Sequence, residues 1–188
     1  MKARESGMPD EKMWQQFFEV DKILDELEVN NGIEKLVDFG SGYGTFTIPA
    51  SKRIKGNVYA YDIEEYLIRE LDARLKKNNI NNVILFNKDF INEETAFQNE
   101  EVDFVMLFNI LHAEWSAEIL KETHRILRGN GKVGVIHWNY DSTTPRGPSM
   151  SIRPKPDELR IMLIDAGFSI LKYNINLPPY HYGILAQK

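Results

Sequence analysis

One stretch of the sequence decides the fold, and it reads Asp38-Phe39-Gly40-Ser41-Gly42-Tyr43-Gly44-Thr45-Phe46-Thr47-Ile48-Pro49. Three of the chain's twelve glycines lie within a span of five residues here. Glycine is needed where the backbone takes a positive φ or approaches a ligand too closely for a Cβ atom. The helix that follows presents free N–H groups at its start, where Pro49 loses little by lacking one. The stretch therefore predicts a strand, a tight ligand-binding turn and a helix.

Strand-like and helix-like segments alternate on both sides of this turn. The predicted strands are residues 35–40, 57–62, 83–86, 102–108 and 132–138, and the predicted helices are residues 11–27, 64–77, 116–128 and 157–166. Most of the strands are apolar on both faces, as in parallel sheets that helices cover on both sides. Two further strands, 168–174 and 182–187, are only seven residues apart, too few for a helical crossover. The sequence thus predicts an α/β fold, with a mostly parallel sheet whose last strand is antiparallel.

Composition excludes several classes of protein. The 188 residues carry 23 Lys and Arg against 28 Asp and Glu, and they include no cysteine, which excludes disulfide scaffolds, thiol nucleophiles and thiolate metal sites. The acidic balance argues against nucleic acid as a partner and favours a small molecule. No apolar run approaches the roughly 20 residues of a membrane helix, and the first twelve residues lack the apolar core of a secretory signal. We expect a single cytoplasmic domain over residues 1–188, monomeric or homodimeric, with no membrane partner.

The glycine spacing bears on which cofactor the turn holds. The dinucleotide fingerprint is G-x-G-x-x-G, whereas this turn has G-x-G-x-G and places Thr45 where the fingerprint has its third glycine. Asp38, at the end of the preceding strand, would repel a pyrophosphate but can hold an ammonium group, directly or through water. Both features count against NAD.

Two further acids complete an outline of the ligand. Asp62 ends the second predicted strand, where a carboxylate accepts hydrogen bonds from a ribose diol. Asp89 follows the third strand and can bind the exocyclic amine of adenine, while Phe90 either lies against the adenine ring or belongs to the core. Together with the glycine turn, these residues outline an adenosine with a charged amino-acid tail.

With these residues the chain resembles the class I S-adenosylmethionine-dependent methyltransferases over nearly its whole length. The first motif of that family is similar to residues 38–44, its ribose acid to Asp62, its adenine motif to residues 88–90, and its fourth-strand motif to residues 102–111. Small-molecule enzymes of the ubiquinone-biosynthesis-like type look most alike, although Asn130 stands where many members have proline. The resemblance implies a Rossmann-like three-layer sandwich with a seven-stranded sheet and S-adenosylmethionine as cofactor. The cofactor-binding residues that it implies are Asp38, Phe39, Gly40, Ser41, Gly42, Gly44, Asp62, Ile63, Asp89, Phe90, Phe108 and Asn109.

Histidines supply the candidates for catalysis. His112 and His137 follow the fourth predicted strand and end the fifth, at the edge where open α/β sheets bind ligands. Each could line the acceptor pocket or be a structural histidine, and without a third ligand the pair predicts no metal site. Glu114 and Tyr140 are further candidate bases. His124 and His181 are expected to be surface or packing residues.

Two segments are expected to frame the site. Residues 1–30 are predicted to form a helical lid, unless their aromatic residues simply belong to the core. Residues 139–156 form a predicted substrate-side loop, in which Arg146 and Arg153 either recognise a polar or anionic acceptor or are merely solvated. The favoured function is methyl transfer by in-line displacement to a small acceptor. The alternatives are an NAD-linked oxidoreductase and a non-catalytic module that binds S-adenosylmethionine.

Overall fold

A computed structural model describes residues 10–112 and 114–188, and its centre is one seven-stranded sheet in the order β3-β2-β1-β4-β5-β7-β6. The first five strands pair in parallel with one another, and β7 is antiparallel to both β5 and β6. The predicted fold class and the reversed last strand are confirmed. The strands are β1 Lys35–Phe39, β2 Asn57–Asp62, β3 Val83–Asn87, β4 Val102–Phe108, β5 Leu127–Trp138, β6 Ser169–Leu177 and β7 His181–Gln187.

Helices lie on both faces of this sheet. Alternate residues of β4 enter two separate apolar cores, with Val105 and Leu107 in one and Phe104 and Met106 in the other. This is the expected pattern for a strand that is buried on both sides, and each such side chain contributes roughly 1.5–3 kcal/mol by its burial. The helices are α1 Glu11–Gln15, α2 Val20–Glu26, α3 Thr47–Arg53, α4 Glu65–Lys77, α5 Ser116–Ile126 and α6 Pro156–Asp165.

The predicted single helix over residues 11–27 is wrong, because the chain forms α1 and α2 with a break between them. Within that break Phe18 makes an isolated antiparallel bridge with Pro179, and its ring packs into the core. A tertiary pairing of this kind requires extended backbone, so it overrides the helical periodicity of the segment. Residues 1–9 of the predicted lid lie outside the described residues.

Several other boundaries differ from the prediction, and strand pairing explains the larger differences. Helix α5 ends at Ile126 rather than just before Gly129, since Leu127 already pairs with Val102 of β4. Strand β6 extends to Leu177, so that only residues 178–180 separate it from β7. In both places strand pairing decides where the element begins or ends, and local glycine or proline signals do not.

The strand register gathers the site at one edge of the sheet. Asp38 and Asp62 lie at or near the carboxyl ends of β1 and β2, which pair in parallel, while β4 pairs with β1 on the other side and leads into Asn109. The strand order reverses between β1 and β4, which is where open α/β sheets bind ligands. Within residues 10–112 and 114–188, no helix has the length and apolar character needed to cross a membrane.

Candidate functional site

The glycine turn is built from left-handed backbone and is closed by its own hydrogen bonds. Gly40, Gly42 and Gly44 have φ values of 77°, 53° and 78°. The N–H groups of Gly40 and Ser41 both donate to the carbonyl of Tyr61 at the end of β2, over 2.9 and 3.0 Å. At Gly44 a Cβ atom would lie 2.3 Å from Leu71 Cδ1 of α4, so glycine is required there both by φ and by space. The turn is therefore held rigidly against β2 and α4.

Asp62 joins the glycine turn to the end of β2. Its Oδ2 accepts the N–H of Gly42 over 2.8 Å, and its Oδ1 accepts the N–H of Glu64 over 2.9 Å. Burial raises the pKa of Asp62, and these backbone hydrogen bonds oppose that rise. A carboxylate has about four lone-pair sites, so Asp62 keeps acceptor capacity for a ribose diol while it holds the turn in place.

Asp38 lies below the turn and has a partner that the sequence did not reveal. Thr47, the first residue of α3, donates its hydroxyl hydrogen to Asp38 Oδ2 over 2.6 Å. Burial is the main cause that raises the pKa of Asp38 to about 7, with a smaller contribution from the charge of Asp62, while the Thr47 hydrogen bond lowers it. A neighbouring cation would favour the ionised form. Asp38 is thus suited to an ammonium or sulfonium ligand.

The hydroxyl of Ser41 shows that the turn fits a polar ligand. Ser41 is 7% exposed, and no group in the part of the chain that the structure describes hydrogen-bonds its Oγ. A buried hydroxyl without a hydrogen-bond partner destabilises the folded protein by about 1–3 kcal/mol. A polar ligand that forms a hydrogen bond with Ser41 would remove this cost. The Oγ1 of the half-buried Thr45 is likewise without a hydrogen-bond partner among the described residues. The residues present therefore fit the amino-acid tail of S-adenosylmethionine.

The residues predicted to contact adenine differ in their exposure. Ile63 is 38% exposed just beyond β2 and offers an accessible apolar surface. Asp89 accepts the N–H of Ile91 over 3.2 Å and also stabilises its own turn. Phe90 is half-buried and stacks on Phe39 with 4.0 Å between the ring centroids. Because Phe39 is fully buried, any cofactor contact from it would come from its backbone.

Asn109 adopts a strained backbone at the end of β4. Its φ is 59°, which is uncommon for a residue with a side chain. Its Nδ2 lies 3.3 Å from Nε2 of His181, a β7 residue that is fully buried and that stacks on Phe18. Burial lowers the pKa of His181 to about 3, so its neutral ring accepts from the Asn109 amide. His181 is the packing residue that we expected, and it also orients the side chain of Asn109.

Phe108, the residue before Asn109, is buried with its ring edge-on to Phe46.

His112 and His137 meet at the carboxyl edge of β4 and β5. His137 Nε2 lies 3.4 Å from His112 Nδ1, and the ring centroids are 5.4 Å apart. His137 is fully buried and His112 is half-buried. Burial is the largest cause that lowers the pKa of both rings, and the proximity of the two rings lowers that of His137 further. Both imidazoles are therefore neutral near pH 7. Within residues 10–112 and 114–188, no cluster of three metal-ligating side chains is found.

The described part of the N-terminal segment, residues 10–30, is anchored to the rest of the molecule by aromatic contacts. Phe18 packs against Phe46 at 5.1 Å, and Phe17 packs against Trp138 at 5.2 Å between ring centroids. Trp14 lies 4.9 Å from Phe18 by the same measure. These residues belong to one of the two cores, so the segment has the packing role that was an alternative to a lid, and it also adjoins the start of α3.

Arg74 is a residue that sequence reasoning missed. From α4 it forms an ion pair with Glu11 of α1, and its Nη1 donates to the backbone carbonyl of Tyr43 over 3.1 Å. One guanidinium thus joins the N-terminal segment to the glycine turn. A helical arginine in a charge-rich sequence gives no signal of such a role, because its partners are 63 and 31 residues away.

The expectation that Arg153 recognises the acceptor is wrong. Its guanidinium is buried, and all five of its N–H groups are directed to acceptors within residues 139–156. These acceptors are the carbonyls of Asn139, Asp141, Arg146 and Pro148 and the hydroxyl of Thr144. Arg153 therefore organises the loop from inside.

The other candidate residues lie nearer the surface. Arg146, Tyr140 and Glu114 are exposed, while His124 packs edge-on to Phe168.

Comparison with known proteins identifies the family. The model of the family described as "Methyltransferase domain" matches residues 36–131. A probable S-adenosylmethionine-dependent methyltransferase of Mycobacterium tuberculosis is 29% identical over 135 residues, which are 69% of this chain and 46% of that protein. A demethylmenaquinone methyltransferase of Lactobacillus johnsonii is 24% identical over 134 residues, covering 70% of this chain and 52% of that protein. The chain thus spans about half the length of these curated relatives.

A solved structure agrees with the observed fold. The crystal structure of a SAM-dependent methyltransferase from Aquifex aeolicus superposes with a TM-score of 0.82 at 23% identity, covering 95% of this chain and 93% of that one. At this level of identity the likeness concerns the fold, whereas the match to residues 36–131 covers half of the chain and includes the glycine turn and both acids, Asp38 and Asp62. The chain belongs to the methyltransferase-domain family, that is, to the class I S-adenosylmethionine-dependent methyltransferases.

Proposed function

We propose that this protein transfers a methyl group from S-adenosylmethionine to a small-molecule acceptor. The proposal rests on the glycine turn, which has a left-handed backbone and is hydrogen-bonded from the Gly42 N–H to Asp62. The carboxyl of Asp38 is buried beside this turn, and the Ser41 hydroxyl has no hydrogen-bond partner among the described residues. When bound, the cofactor supplies a methyl group already activated on a sulfonium. The contribution of the protein is then mainly to orient the reactants, which can supply on the order of 7 to 11 kcal/mol.

The roles of individual residues follow from their positions. Asp62 and Ile63 receive the ribose and the face of adenine, and Asp89 with Phe90 closes the adenine side. Ser41 and Thr45 offer hydroxyls to the amino-acid tail, and Asp38 faces its cationic part. Asn109 and His112 line the acceptor side beyond β4, and the fully buried His137 supports His112 from β5, with Phe108 next to Asn109.

The charge of the protein and its relatives bear on the kind of acceptor. The net charge of −5 favours a small molecule over a nucleic acid, and one curated relative is named as a demethylmenaquinone methyltransferase. We include in the proposal a ubiquinone-biosynthesis-like acceptor, a cytoplasmic location, a single domain over residues 1–188, a monomeric or homodimeric state and the exposed Arg146 as an acceptor contact.

Calorimetry with the cofactor tests the core of this proposal. S-adenosylmethionine and S-adenosylhomocysteine should each bind to the folded protein, whereas NAD should not. A metabolite screen in the presence of S-adenosylmethionine should then find acceptors whose turnover releases S-adenosylhomocysteine. If folded protein gives no heat with either cofactor form, the proposal is overturned.

A pair of matched variants tests the site itself. Asp62→Asn removes one carboxylate oxygen from the turn and should weaken cofactor binding at least tenfold, because a charge-assisted hydrogen bond contributes roughly 1.5–3 kcal/mol. Asp72→Asn makes the same chemical change on α4, where Asp72 pairs with the exposed Lys76, and it should leave the affinity unchanged. Equal effects of the two variants would contradict the assignment of the ribose acid.

A further inference from the structure

The contact between His112 and His137 determines where the protons of these rings lie. His137 Nδ1 lies 3.4 Å from the backbone carbonyl of Trp138, and its Nε2 lies 3.4 Å from His112 Nδ1. A carbonyl oxygen can only accept a hydrogen bond, so the neutral His137 must carry its proton on Nδ1. Its Nε2 is then a bare lone pair that faces His112.

The lone pair on His137 Nε2 determines which nitrogen of the His112 ring carries the proton. With the proton of His112 on Nδ1, it donates to His137 Nε2, whereas the other neutral tautomer would set two lone pairs against each other at 3.4 Å. His112 Nε2, the nitrogen remote from the backbone, is thereby left as the basic atom of the half-buried ring.

We propose that His112 Nε2 is the general base of the methyl transfer, and that His137 is a positioning residue that fixes the tautomer of His112. This inference rests on the proposed function, and it restricts the acceptor to a molecule whose nucleophile is an O–H or N–H group. As the nucleophile bonds to the methyl carbon, the carbon–sulfur bond breaks and its electron pair stays on sulfur. The proton of the acceptor passes to His112 Nε2 and then to solvent.

The surroundings keep the pair neutral and available. The groups whose charges act on His137 are His112 after β4, His181 of β7 and Arg153 of the loop, and the ring of Tyr182 lies 6.3 Å from it between centroids. No carboxylate is among the causes that shift the pKa of either ring, and burial, the largest cause, lowers both pKa values. The pKa of His112 therefore lies below its ordinary value of 6.5, and the ring is neutral at pH 7.

Nuclear magnetic resonance measures the tautomers without knowledge of the acceptor. Long-range proton–nitrogen correlation spectra of the full-length labelled protein distinguish a protonated Nδ1 from a protonated Nε2. We expect both His112 and His137 to carry their proton on Nδ1 at pH 7. A His112 protonated on Nε2 in the wild-type protein would overturn the proposal, whatever the variants below do.

Substitution of His137 tests its positioning role. His137→Gln can place a carbonyl oxygen near the position of Nε2 and should keep the His112 proton on Nδ1, whereas His137→Leu offers no acceptor and should move part of that population to Nε2. An unchanged His112 tautomer in folded His137→Leu would contradict the role of His137. The affinity for S-adenosylhomocysteine, measured on the same samples, should be equal in the wild type and the two His137 variants. If the wild-type protein does not bind S-adenosylhomocysteine, the proposed function is refuted instead.

With any acceptor that the metabolite screen yields, kinetics complete the test. His112→Gln should lower kcat by about 10²–10⁴-fold, the usual range for a general base, without changing cofactor affinity. His137→Leu should also lower kcat and should alter its pH profile, and His137→Gln should restore most of the rate. Wild-type rates in His112→Gln, or turnover confined to acceptors without an O–H or N–H nucleophile, would overturn the inference.

Discussion

Thr47 donates its hydroxyl hydrogen to Asp38 Oδ2 over 2.6 Å, so that the first residue of α3 holds the carboxyl at the end of β1. This hydrogen bond lowers the pKa of Asp38, but burial outweighs it and raises the pKa to about 7. The free protein therefore carries Asp38 partly protonated at neutral pH. A cationic ligand beside the carboxyl would draw the proton off.

Cofactor binding should consequently release a proton. Below pH 7 Asp38 is mostly protonated in the free protein and becomes ionised beside the cationic tail, so affinity for S-adenosylmethionine should rise as pH increases from about 5 to about 8. Calorimetry at pH 6 in buffers of different ionisation enthalpy measures the released proton. Asp38→Asn should bind more weakly and without this pH dependence. A wild-type affinity that is constant over the range would contradict the role of Asp38.

The stability of the free protein should show the opposite trend with pH. The pKa of Asp38 is about 7 in the folded protein and 3.8 in its ordinary state, so the folded state holds the proton more tightly. The contribution of this group to the free energy of unfolding is fully present below pH 4 and falls by on the order of 4 kcal/mol as pH rises to 8. Urea titrations across this range, with Asp38→Asn as reference, measure the difference. Parallel pH profiles for the two proteins would show that Asp38 is not responsible.

Substitution of Gly44 should destabilise the protein even without a ligand. Gly44→Ala introduces a Cβ atom 2.3 Å from Leu71 Cδ1 at a φ of 78°, so both crowding and backbone strain oppose it. We expect a loss of about 1–3 kcal/mol in the free energy of unfolding. The matched control is Gly129→Ala, where nothing lies within 4 Å of the new atom and the change should stay within about 0.5 kcal/mol. Equal unfolding midpoints for the two variants would refute this account of the turn.

Removal of Arg74 should loosen the connection between the N-terminal segment and the glycine turn. Arg74→Gln breaks the ion pair with Glu11 and weakens the hold on the Tyr43 carbonyl. We expect the affinity for S-adenosylhomocysteine to fall about fivefold, which corresponds to about 1 kcal/mol. This is the upper end of the free energies measured for exposed ion pairs, and the Arg74–Glu11 pair is partly buried. Arg69→Gln is the control, because Arg69 pairs on the same helix with an exposed Glu65. If both variants bind alike, the connection does not contribute to binding.

Arg153 should control the order of residues 139–156. Arg153→Gln leaves several loop carbonyls without a donor, and the loop should become sensitive to limited proteolysis, with a loss of about 1–3 kcal/mol in stability. Arg160→Gln, on the neighbouring α6, removes an arginine whose partner Asp157 is exposed and should change neither property. A protease-resistant loop in Arg153→Gln would show that its other contacts suffice.

The sequence predicted those parts of the site that depend on local spacing. The glycine turn follows from three alternating glycines, and Asp62 from its position at the end of the next strand. The convergence of His112 and His137 was also foreseen, because both lie at the carboxyl ends of strands that proved to be neighbours. Each of these depends on strand order, which alternating strands and helices largely determine.

The remaining features depend on contacts between distant parts of the chain. The role of Arg153 was misjudged because an arginine in a proline-rich loop looks the same in sequence whether it faces solvent or five loop acceptors. The break at Phe18 arises from a bridge to Pro179, which no local periodicity contains. Arg74 likewise acquires its role from partners on two other elements. Such roles emerge only once the tertiary structure brings the partners together.

The bridge between Phe18 and Pro179 has a consequence for the order of events during biosynthesis. Phe18 also stacks on His181, so the packing of this aromatic segment is complete only after β7 has been synthesised. Until then the contacts of Phe18 with Pro179 and His181 are missing, and the side of its ring that they cover is open to chaperones on the nascent chain. The final packing of the N-terminal segment thus depends on a contact between residues that are more than 150 positions apart in the chain.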